Sequence, residues 1–426
     1  DYEFKGVVVS FDSKEDISYS SKIILTINGT GNQQIFSDDY DINPNYIDKI
    51  YVNDAAQDNK GKIVFNLNEE MNNITIVWIN QIINCYHMFY YLSNITYIDL
   101  SHFNSSSITH MTGMFSGCSS LKSLNLNNFD TSKVIDMCGM FMGCSSLISL
   151  NLNSFDTSKV TDISYMFSGC SSLESLLLDT FTTSKVNDMS GAFWDCSSLK
   201  SLNLNSFDTS EVTSMYGMFF GCHFLESLDL NHFKTSKVSS MSFMFSGCSS
   251  LKSLDLHNFD TSEVIYMQGI FLGCRSLLSL NLNNFNTSKV TSMYGIFTGC
   301  HSLQSLNLSN FKTSEVTDMS YMFSGCSTLK ALYLNNFDTS KVTTMSYMFS
   351  GCSSLLVLHL NSFDTSKVIH MTGMFQLCSF LISLNINNFD TLKVTSMSSM
   401  FHGCSSLISL NLKNFDTSNI ASSTYM

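Results

Sequence analysis

The sequence predicts a repeat solenoid of the leucine-rich-repeat type, with a β-solenoid as the alternative. Twelve of the fourteen cysteines lie 26 residues apart, and phenylalanine recurs at the same interval at two further positions. No insertion or deletion interrupts this spacing between Phe89 and Phe415. A fixed period of this length is typical of stacked repeats, and so strict a period means that each repeat meets its neighbours in the same way.

One repeat, called a rung below, combines a strand, a turn and a helical segment; its positions are counted from the cysteine. Leu124 and Leu126 alternate with asparagine, which predicts a short strand with both leucines on one face. Asp130-Thr131-Ser132 provides turn and capping residues. The next apolar residues follow a helical stripe, which predicts a short helix or 3₁₀ segment over Val134, Met137, Met140 and Phe141. Gly143 then lies where a left-handed cap is needed.

The chain divides into an amino-terminal β-rich cap, residues 1–77, and about thirteen rungs, residues 78–426. The cap lacks the 26-residue pattern and is expected to cover the apolar end of the first rung, in which Leu92 replaces the cysteine. Its predicted strands are Phe4–Phe11, Lys22–Ile27, Tyr46–Val52, Lys62–Leu67 and Ile74–Trp78. At Met426 no polar cap follows the last rung, so another molecule or further chain is expected to cover this end.

Composition excludes several classes of function. The net charge of −13 disfavours nucleic acid as a partner, because phosphate binding needs clustered Lys and Arg. No apolar stretch approaches the ~20 residues of a membrane span, and Asp1 in place of Met is consistent with a removed leader. Cys222-His223 and Cys300-His301 lack the third group that nucleophilic catalysis requires. We therefore expect no catalytic residue, no metal and no cofactor.

The regularly spaced cysteines form a structural ladder. Ten of the twelve follow a glycine and all precede a core leucine, which favours small buried free thiols. Pairwise bridging between rungs is the geometric alternative, and metal binding is disfavoured because no C-x-x-C motif accompanies them. The ladder consists of Cys118, Cys144, Cys170, Cys196, Cys222, Cys248, Cys274, Cys300, Cys326, Cys352, Cys378 and Cys404.

The rung pattern L-x-x-L-x-L-x-x-F-D-T-S-x-V-T-x-M-x-x-M-F-x-G-C resembles that of the BspA-like leucine-rich repeat surface proteins, over roughly residues 78–426. The resemblance implies a secreted or surface-displayed protein with an adhesive role and brings no catalytic residues. Two hypotheses follow. The chain is a structural or adhesive scaffold that assembles head to tail into a filament, or it is a monomeric adhesin that binds host, matrix or glycan ligands.

Four sets of outward positions are candidates for contacts or modification. Asparagine recurs at positions 8 and 10, where stacked amides can bond to one another or to glycans. The sign of the charge at position 16 alternates from rung to rung, which avoids a column of like charges and helps to fix the register of the rungs. These residues are Lys185, Glu211, Lys237, Glu263, Lys289, Glu315 and Lys341. A partner patch is predicted at Met142, Trp194, Tyr216, Phe220, Phe224, Phe243 and Leu272. Glycosylation sequons occur at Asn28, Asn73, Asn94, Asn104, Asn286 and Asn307.

Overall fold

The protein is a solenoid whose rungs stack through parallel backbone pairing. The computed structural model describes residues 21–58, 63–421 and 424–425. Parallel bridges at position 19 join each rung to the next from Asn84 to Ser396. The repeat solenoid is therefore confirmed, whereas the predicted strand Phe4–Phe11 lies outside the described residues.

The cap consists of a small antiparallel sheet that is continuous with the solenoid and of a separate antiparallel pair of short strands. Its strands are β1 (Ser21–Asn28), β2 (Gly31–Gln34), β3 (Ile47–Val52), β4 (Ala55–Gln57), β5 (Val64–Leu67) and β6 (Met71–Trp78), and a 3₁₀ turn spans Pro44–Tyr46. Strand β1 pairs antiparallel with β6 and also with β7 (Ile95–His102), the first strand of the solenoid. Strands β2 and β5 pair with each other, whereas the order β4-β3-β6-β1-β7-β8, with β8 at Ser123–Asn125, makes one six-stranded sheet. Three predicted cap strands lie wholly within the described residues, and Lys62–Leu67 does so from Ile63 onward. All four are present there, with small shifts of their ends.

Two aromatic residues of the cap close the apolar end of the first rung. The Phe36 ring stacks on Phe89, with ring centroids 5.9 Å apart, and Trp78 meets Phe103 edge to face at 5.9 Å. Phe36 and Trp78 also contact each other at 6.0 Å. The predicted cap therefore covers the first rung by both ring packing and strand pairing.

Where a complete rung contains a strand, the strand lies at positions 6 to 8. These strands are β8 (Ser123–Asn125), β9 (Ser149–Asn151), β10 (Ser175–Leu177), β11 (Ala331–Tyr333), β12 (Val357–His359) and β13 (Ser383–Asn385). Strand β8 pairs in parallel with β7, β9 pairs with β10, and β12 pairs with both β11 and β13. In the last two groups leucine lies opposite leucine, as Leu150 does opposite Leu176. In the rungs between β10 and β11 the same region carries scattered single bonds, such as Leu278 N–H to the Lys252 carbonyl at 3.2 Å.

The predicted helical segment is a run of tight turns, and within the described residues no rung contains a helix. Met137, Gly139, Phe141 and Gly143 donate their N–H groups to the next rung, at 2.6–3.1 Å. Only the residues between them, such as Met140 with the Met137 carbonyl at 3.2 Å, bond within the rung. The apolar stripe that suggested a helix is buried, but half of its N–H groups stack the rungs, so an α-helical pattern cannot form.

Two columns of phenylalanine rings form the centre of the core. Rings at position 24 stack from Phe89 to Phe401 with centroids 5.4–5.9 Å apart and planes within 12° of parallel. A second column at position 12 has spacings such as 6.3 Å between Phe103 and Phe129. These distances are within the range of offset-stacked rings. Each ring therefore finds its partner in the neighbouring rung.

A buried threonine at position 14 connects each rung to the next. The Thr261 hydroxyl donates to the Asn286 carbonyl at 3.0 Å and accepts from the Asn286 N–H at 2.8 Å. Thr287 does the same with Lys312 at 2.8 Å for both bonds. One hydroxyl thus bonds both the backbone N–H and the backbone carbonyl of the position 13 residue in the next rung. In the first rung Ser105 takes this position and accepts from the Asp130 N–H at 2.7 Å.

Replacing one of these threonines by valine is expected to destabilise the solenoid. Thr261→Val keeps the volume but leaves the N–H and C=O of Asn286 without their partner, a cost of about 1–3 kcal/mol. Thr261→Ser keeps the hydroxyl, as Ser105 does naturally. Urea unfolding followed by circular dichroism should show a lower midpoint for valine and a near-native one for serine. Equal midpoints for both variants would contradict the role of the hydroxyl.

The position 13 aspartates link stability to pH. In seven rungs, hydrogen bonds from the serine two residues later lower the aspartate pKa below its ordinary value, as Ser132 does for Asp130 at 2.9 Å. A carboxyl whose pKa is lowered by folding stabilises the fold above its unfolded pKa, and this stabilisation is lost as pH falls through the folded pKa. Asn286 makes the same turn with an amide at 3.1 Å.

The thermal midpoint is therefore expected to fall steeply below about pH 4. A variant with Asp130, Asp156, Asp208 and Asp260 changed to Asn keeps the turns, as Asn286 does, and should show a shallower fall between pH 5 and pH 2. Calorimetry across this pH range measures both slopes. A control with four aspartates outside position 13 changed to Asn removes the same charge and should keep the native slope; if it flattens equally, the turns are not responsible.

Candidate functional site

The outward side of the turn segment combines left-handed backbone with partly exposed aromatic side chains. Its backbone is left-handed at positions 22 and 26, with φ of 58° at Gly139 and 73° at Gly143. Glycine takes this conformation without strain. Position 22 is nevertheless Tyr in Tyr165 and Phe in Phe243, at φ of 54° and 58°. The large side chains at positions 21, 22 and 25, such as Tyr216, Tyr165 and Trp194, are partly exposed on this segment.

Five aromatic residues from consecutive rungs meet there and are called the aromatic patch: Tyr165, Trp194, Tyr216, Phe220 and Phe243. Trp194 stacks on Phe220 with centroids 4.0 Å apart, and it lies 5.9 Å from Tyr216 and 6.5 Å from Tyr165. Tyr216 meets Phe243 edge to face at 6.1 Å. All five side chains are half-buried, so part of each ring packs against the protein and part is exposed to solvent. Burial is the main cause that raises the pKa of Tyr165.

The structure brings together four of the seven residues predicted for the partner patch. Trp194, Tyr216, Phe220 and Phe243 are in the aromatic patch, whereas Phe224 lies at position 3, where its side chain is exposed. Met142 lies in a shallow groove with Tyr91 and Gly143. Leu272 is half-buried in its own rung.

Sequence reasoning did not single out Tyr165, nor two further aromatic groups on the same side. Tyr294, Tyr321 and Tyr347 form one, with centroids 5.7 and 4.9 Å apart. In the other, His87 lies between Tyr86 and Tyr90 at 3.9 and 4.0 Å. Burial lowers the pKa of His87 although Asp39 lies 3.7 Å away. The signal that could have found these residues is the replacement of glycine by an aromatic residue at position 22.

The asparagine-rich side is polar and mostly bonded locally. At position 8 the amide oxygen accepts from the N–H two residues later, as Asn281 does from Asn283 at 3.1 Å. Asn307 also reaches the previous rung, donating to Asn283 Oδ1 at 3.0 Å. Shallow grooves run beside these residues, lined by Asn283, Asn310 and Asn336 among others.

The alternating charges at position 16 form ion pairs in one direction along the solenoid. Lys237 Nζ lies 2.7 Å from Glu211, Lys289 lies 2.6 Å from Glu263, and Lys341 lies 2.7 Å from Glu315. Each glutamate is therefore paired with the lysine of the next rung. These exposed pairs contribute little to stability individually.

The cysteine ladder runs through the core without disulfide bonds. Each thiol approaches the carbonyl of a phenylalanine 29 residues earlier, as Cys144 does with Phe115 at 3.2 Å. Burial raises the pKa of Cys118, Cys170 and Cys222 to about 12, so these thiols stay protonated at neutral pH. Cys138, outside the ladder, is half-buried and accepts from the Ser164 hydroxyl at 3.2 Å.

The sequons differ in accessibility. Asn28, Asn73, Asn104 and Asn307 are exposed, whereas Asn94 and Asn286 are half-buried. The Asn94 side-chain amide donates to Gln33 at 2.5 Å. The exposed four are therefore the better acceptors for a glycan.

Two other features bear on function. Among the described residues, no three His, Cys, Asp or Glu side chains are grouped so as to hold a metal ion. In the same part of the chain, none of the helices is long and apolar enough to cross a membrane.

The repeats match one known family. The model of the family described as "Mycoplasma protein of unknown function, DUF285" matches residues 83–179, 175–277, 250–355 and 326–426. The chain belongs to the DUF285 family. The match begins in the first rung and leaves the cap outside. A comparison with curated proteins gave no match.

Among solved structures, the DUF285 chain is similar to three repeat proteins at low identity. A leucine-rich repeat protein from Eubacterium ventriosum is 17% identical with a TM-score of 0.30, over 74% of this chain and 78% of that one. TLR13 in its complex with ssRNA13 is 18% identical with a TM-score of 0.25, over 70% of this chain, which spans 44% of the TLR13 chain. The functional domain of InlJ from Listeria monocytogenes, which includes a cysteine ladder, is 15% identical with a TM-score of 0.14, over 72% and 74% of the two chains.

The thiols of the DUF285 ladder are predicted to be free but unreactive while the protein is folded. In denaturant without reductant, Ellman's reagent should detect all fourteen cysteines. Under native conditions Cys138 and Cys404, the two half-buried ones, should react first and the other twelve slowly, because burial hinders access and raises the pKa. Cys138→Ser should remove the fast phase at that site. Fewer than about ten thiols in denaturant would show that the ladder is bridged.

Proposed function

We propose that this chain is a non-enzymatic adhesive scaffold outside the cell, whose solenoid presents the aromatic patch to a partner. The observation that carries the proposal is the patch itself, in which Trp194, Tyr216, Phe220 and Phe243 from successive rungs meet outside the core. Partly exposed aromatic clusters on a rigid frame are typical of interaction sites.

Two further observations support this role. The core positions are nearly uniform from rung to rung, whereas position 25 varies from Ser168 to Trp194 and Phe220, and these three side chains are partly exposed. The resemblance of the rung to BspA-like surface proteins supports a secreted or surface location. The exposed sequons Asn28, Asn104 and Asn307 are suited to a glycosylated extracellular chain if its source adds N-linked glycans.

Attachment of beads that carry the purified chain tests the proposal. Beads should attach to surfaces coated with host-derived extracellular matrix, and a Trp194→Ser, Phe220→Ser variant should attach at least tenfold less. Serine already occupies position 25 in Ser168 and Ser246, so the fold tolerates it there. Phe224→Ser removes an exposed ring outside the patch and should attach like the native chain.

The outcomes separate the alternatives. Equal attachment of the native chain and the patch variant would contradict an adhesive role for the patch. Filaments with a constant axial repeat in negative stain, persisting on dilution, would instead favour head-to-tail assembly and a structural role. Antibody labelling of intact cells tests the location separately.

A further inference from the structure

Position 22 keeps an aromatic ring in several rungs at a conformational cost. Its φ is left-handed throughout, and seven rungs have glycine there: Gly113, Gly139, Gly191, Gly217, Gly269, Gly295 and Gly373. In five others the residue is Tyr or Phe, at φ of 54–59°: Tyr165, Phe243, Tyr321, Tyr347 and Tyr425. A residue with a side chain is strained in this conformation, whereas glycine is not. Glycine would avoid the cost, so the ring is kept for a reason other than backbone geometry.

The ring of a position 22 residue lies on the next rung. A Cβ atom on Gly191 would lie less than 3 Å from the Tyr165 ring, and the same holds for Gly269 under Phe243 and Gly373 under Tyr347. These three rings therefore rest on bare backbone, whereas the Tyr321 ring stacks on the Tyr347 ring of the next rung, with centroids 4.9 Å apart. Because these side chains are only half-buried, part of each ring meets solvent. We call each such ring a ring platform.

Three of the platforms recur at a fixed distance. Tyr165, Phe243 and Tyr321 are each 78 residues apart, which is three rungs, and Tyr347 lies one rung beyond the last of them. At ~4.8 Å per rung this places a platform about every 14 Å along one side. Hydroxyl groups at position 19, such as those of Ser214 and Thr344, are partly exposed on the same side and bond to the buried hydroxyls of Ser190 and Ser320 at 2.7 and 2.8 Å. A repeated surface of this kind fits a ligand that is itself periodic.

We propose that the ring platforms bind a neutral polysaccharide that runs along the solenoid. The C–H face of a sugar ring packs on the electron-rich face of an aromatic ring, and its hydroxyls bond to the polar side chains beside it. The net charge of −13 disfavours acidic polysaccharides. Several weak sites at a fixed spacing give high affinity to a chain long enough to reach them together. This inference deepens the proposed function and rests on it.

Glycine substitutions test the platforms without disturbing the backbone. The triple variant Tyr165→Gly, Phe243→Gly, Tyr321→Gly places at position 22 the residue that seven rungs already have there. Its thermal midpoint should equal or exceed that of the native chain, because the strain is relieved. Affinity electrophoresis in gels that contain xyloglucan, galactomannan or dextran should show retardation of the native chain by at least one of them. The triple variant should lose at least tenfold in affinity, and each single variant less.

A control and three contrary results define the test. Tyr333→Ser removes an exposed ring from strand β11, away from position 22, and should bind like the native chain. The inference is overturned if no neutral polysaccharide retards the native chain, if the triple variant binds normally, or if its midpoint falls by more than about 5 °C, which would make the rings packing elements. If the beads attach to protein matrix but the chain binds no polysaccharide, the proposed adhesive function stands. Only the proposal that the ring platforms bind polysaccharide is then refuted.

Discussion

The stacking of one peptide segment on the equivalent segment 26 residues later determines the rest of this structure. In the turn segment, Met137, Gly139, Phe141 and Gly143 all donate their N–H groups to the next rung. The Thr131 hydroxyl then donates to the Asp156 carbonyl, 25 residues later. An insertion of one residue would displace every one of these bonds at once, which leaves buried polar groups unpaired. The strict spacing of the sequence follows from this requirement.

The same stacking separates a uniform inside from a variable outside. Identical residues meet in the core because each rung is placed directly over the previous one, as Phe141 is over Phe167 at 5.8 Å. Residues at the outward positions need not be identical from rung to rung, except where the side chain of a neighbouring rung occupies the space beside them. Gly191, which accommodates the Tyr165 ring, shows that an outward choice in one rung restricts the choice in the next. Surface chemistry in this solenoid is therefore correlated between neighbouring rungs.

Much of the fold could be predicted because burial and period are visible in the residues themselves. The columns at Cys118, Phe115 and Leu121 are buried, and the cap strands lie near their expected positions. The prediction of a helical segment was wrong. The spacing of Val134 and Met137 indicates which side chains are buried, but it does not indicate which carbonyl groups their N–H groups bond to. The hydroxyl bonds of the threonines were not foreseen, since a D-T-S sequence is equally typical of an ordinary turn.

The candidate site was predicted only in part for a related reason. Trp194 and Phe220 attract notice as large residues at a variable position, and they do meet. Tyr165 is ordinary as a residue type and is unusual only in its backbone conformation, which the sequence does not state. Phe224 is as large as its neighbours but leaves the rung in another direction. The size and variability of a residue indicate that it lies on the surface. Which other residues it contacts depends on the direction of its side chain, which these two properties do not give.

Because each rung contacts only its neighbours, the gene can gain or lose whole rungs by recombination while the protein stays folded. Such events are not equivalent for the surface. Removing one rung between Tyr165 and Phe243 would bring these rings one step closer, whereas duplicating three rungs would extend the series in phase. Length variants of this protein are thus expected to differ by multiples of three rungs wherever selection acts on the outer side, and by any number of rungs wherever it acts only on folding.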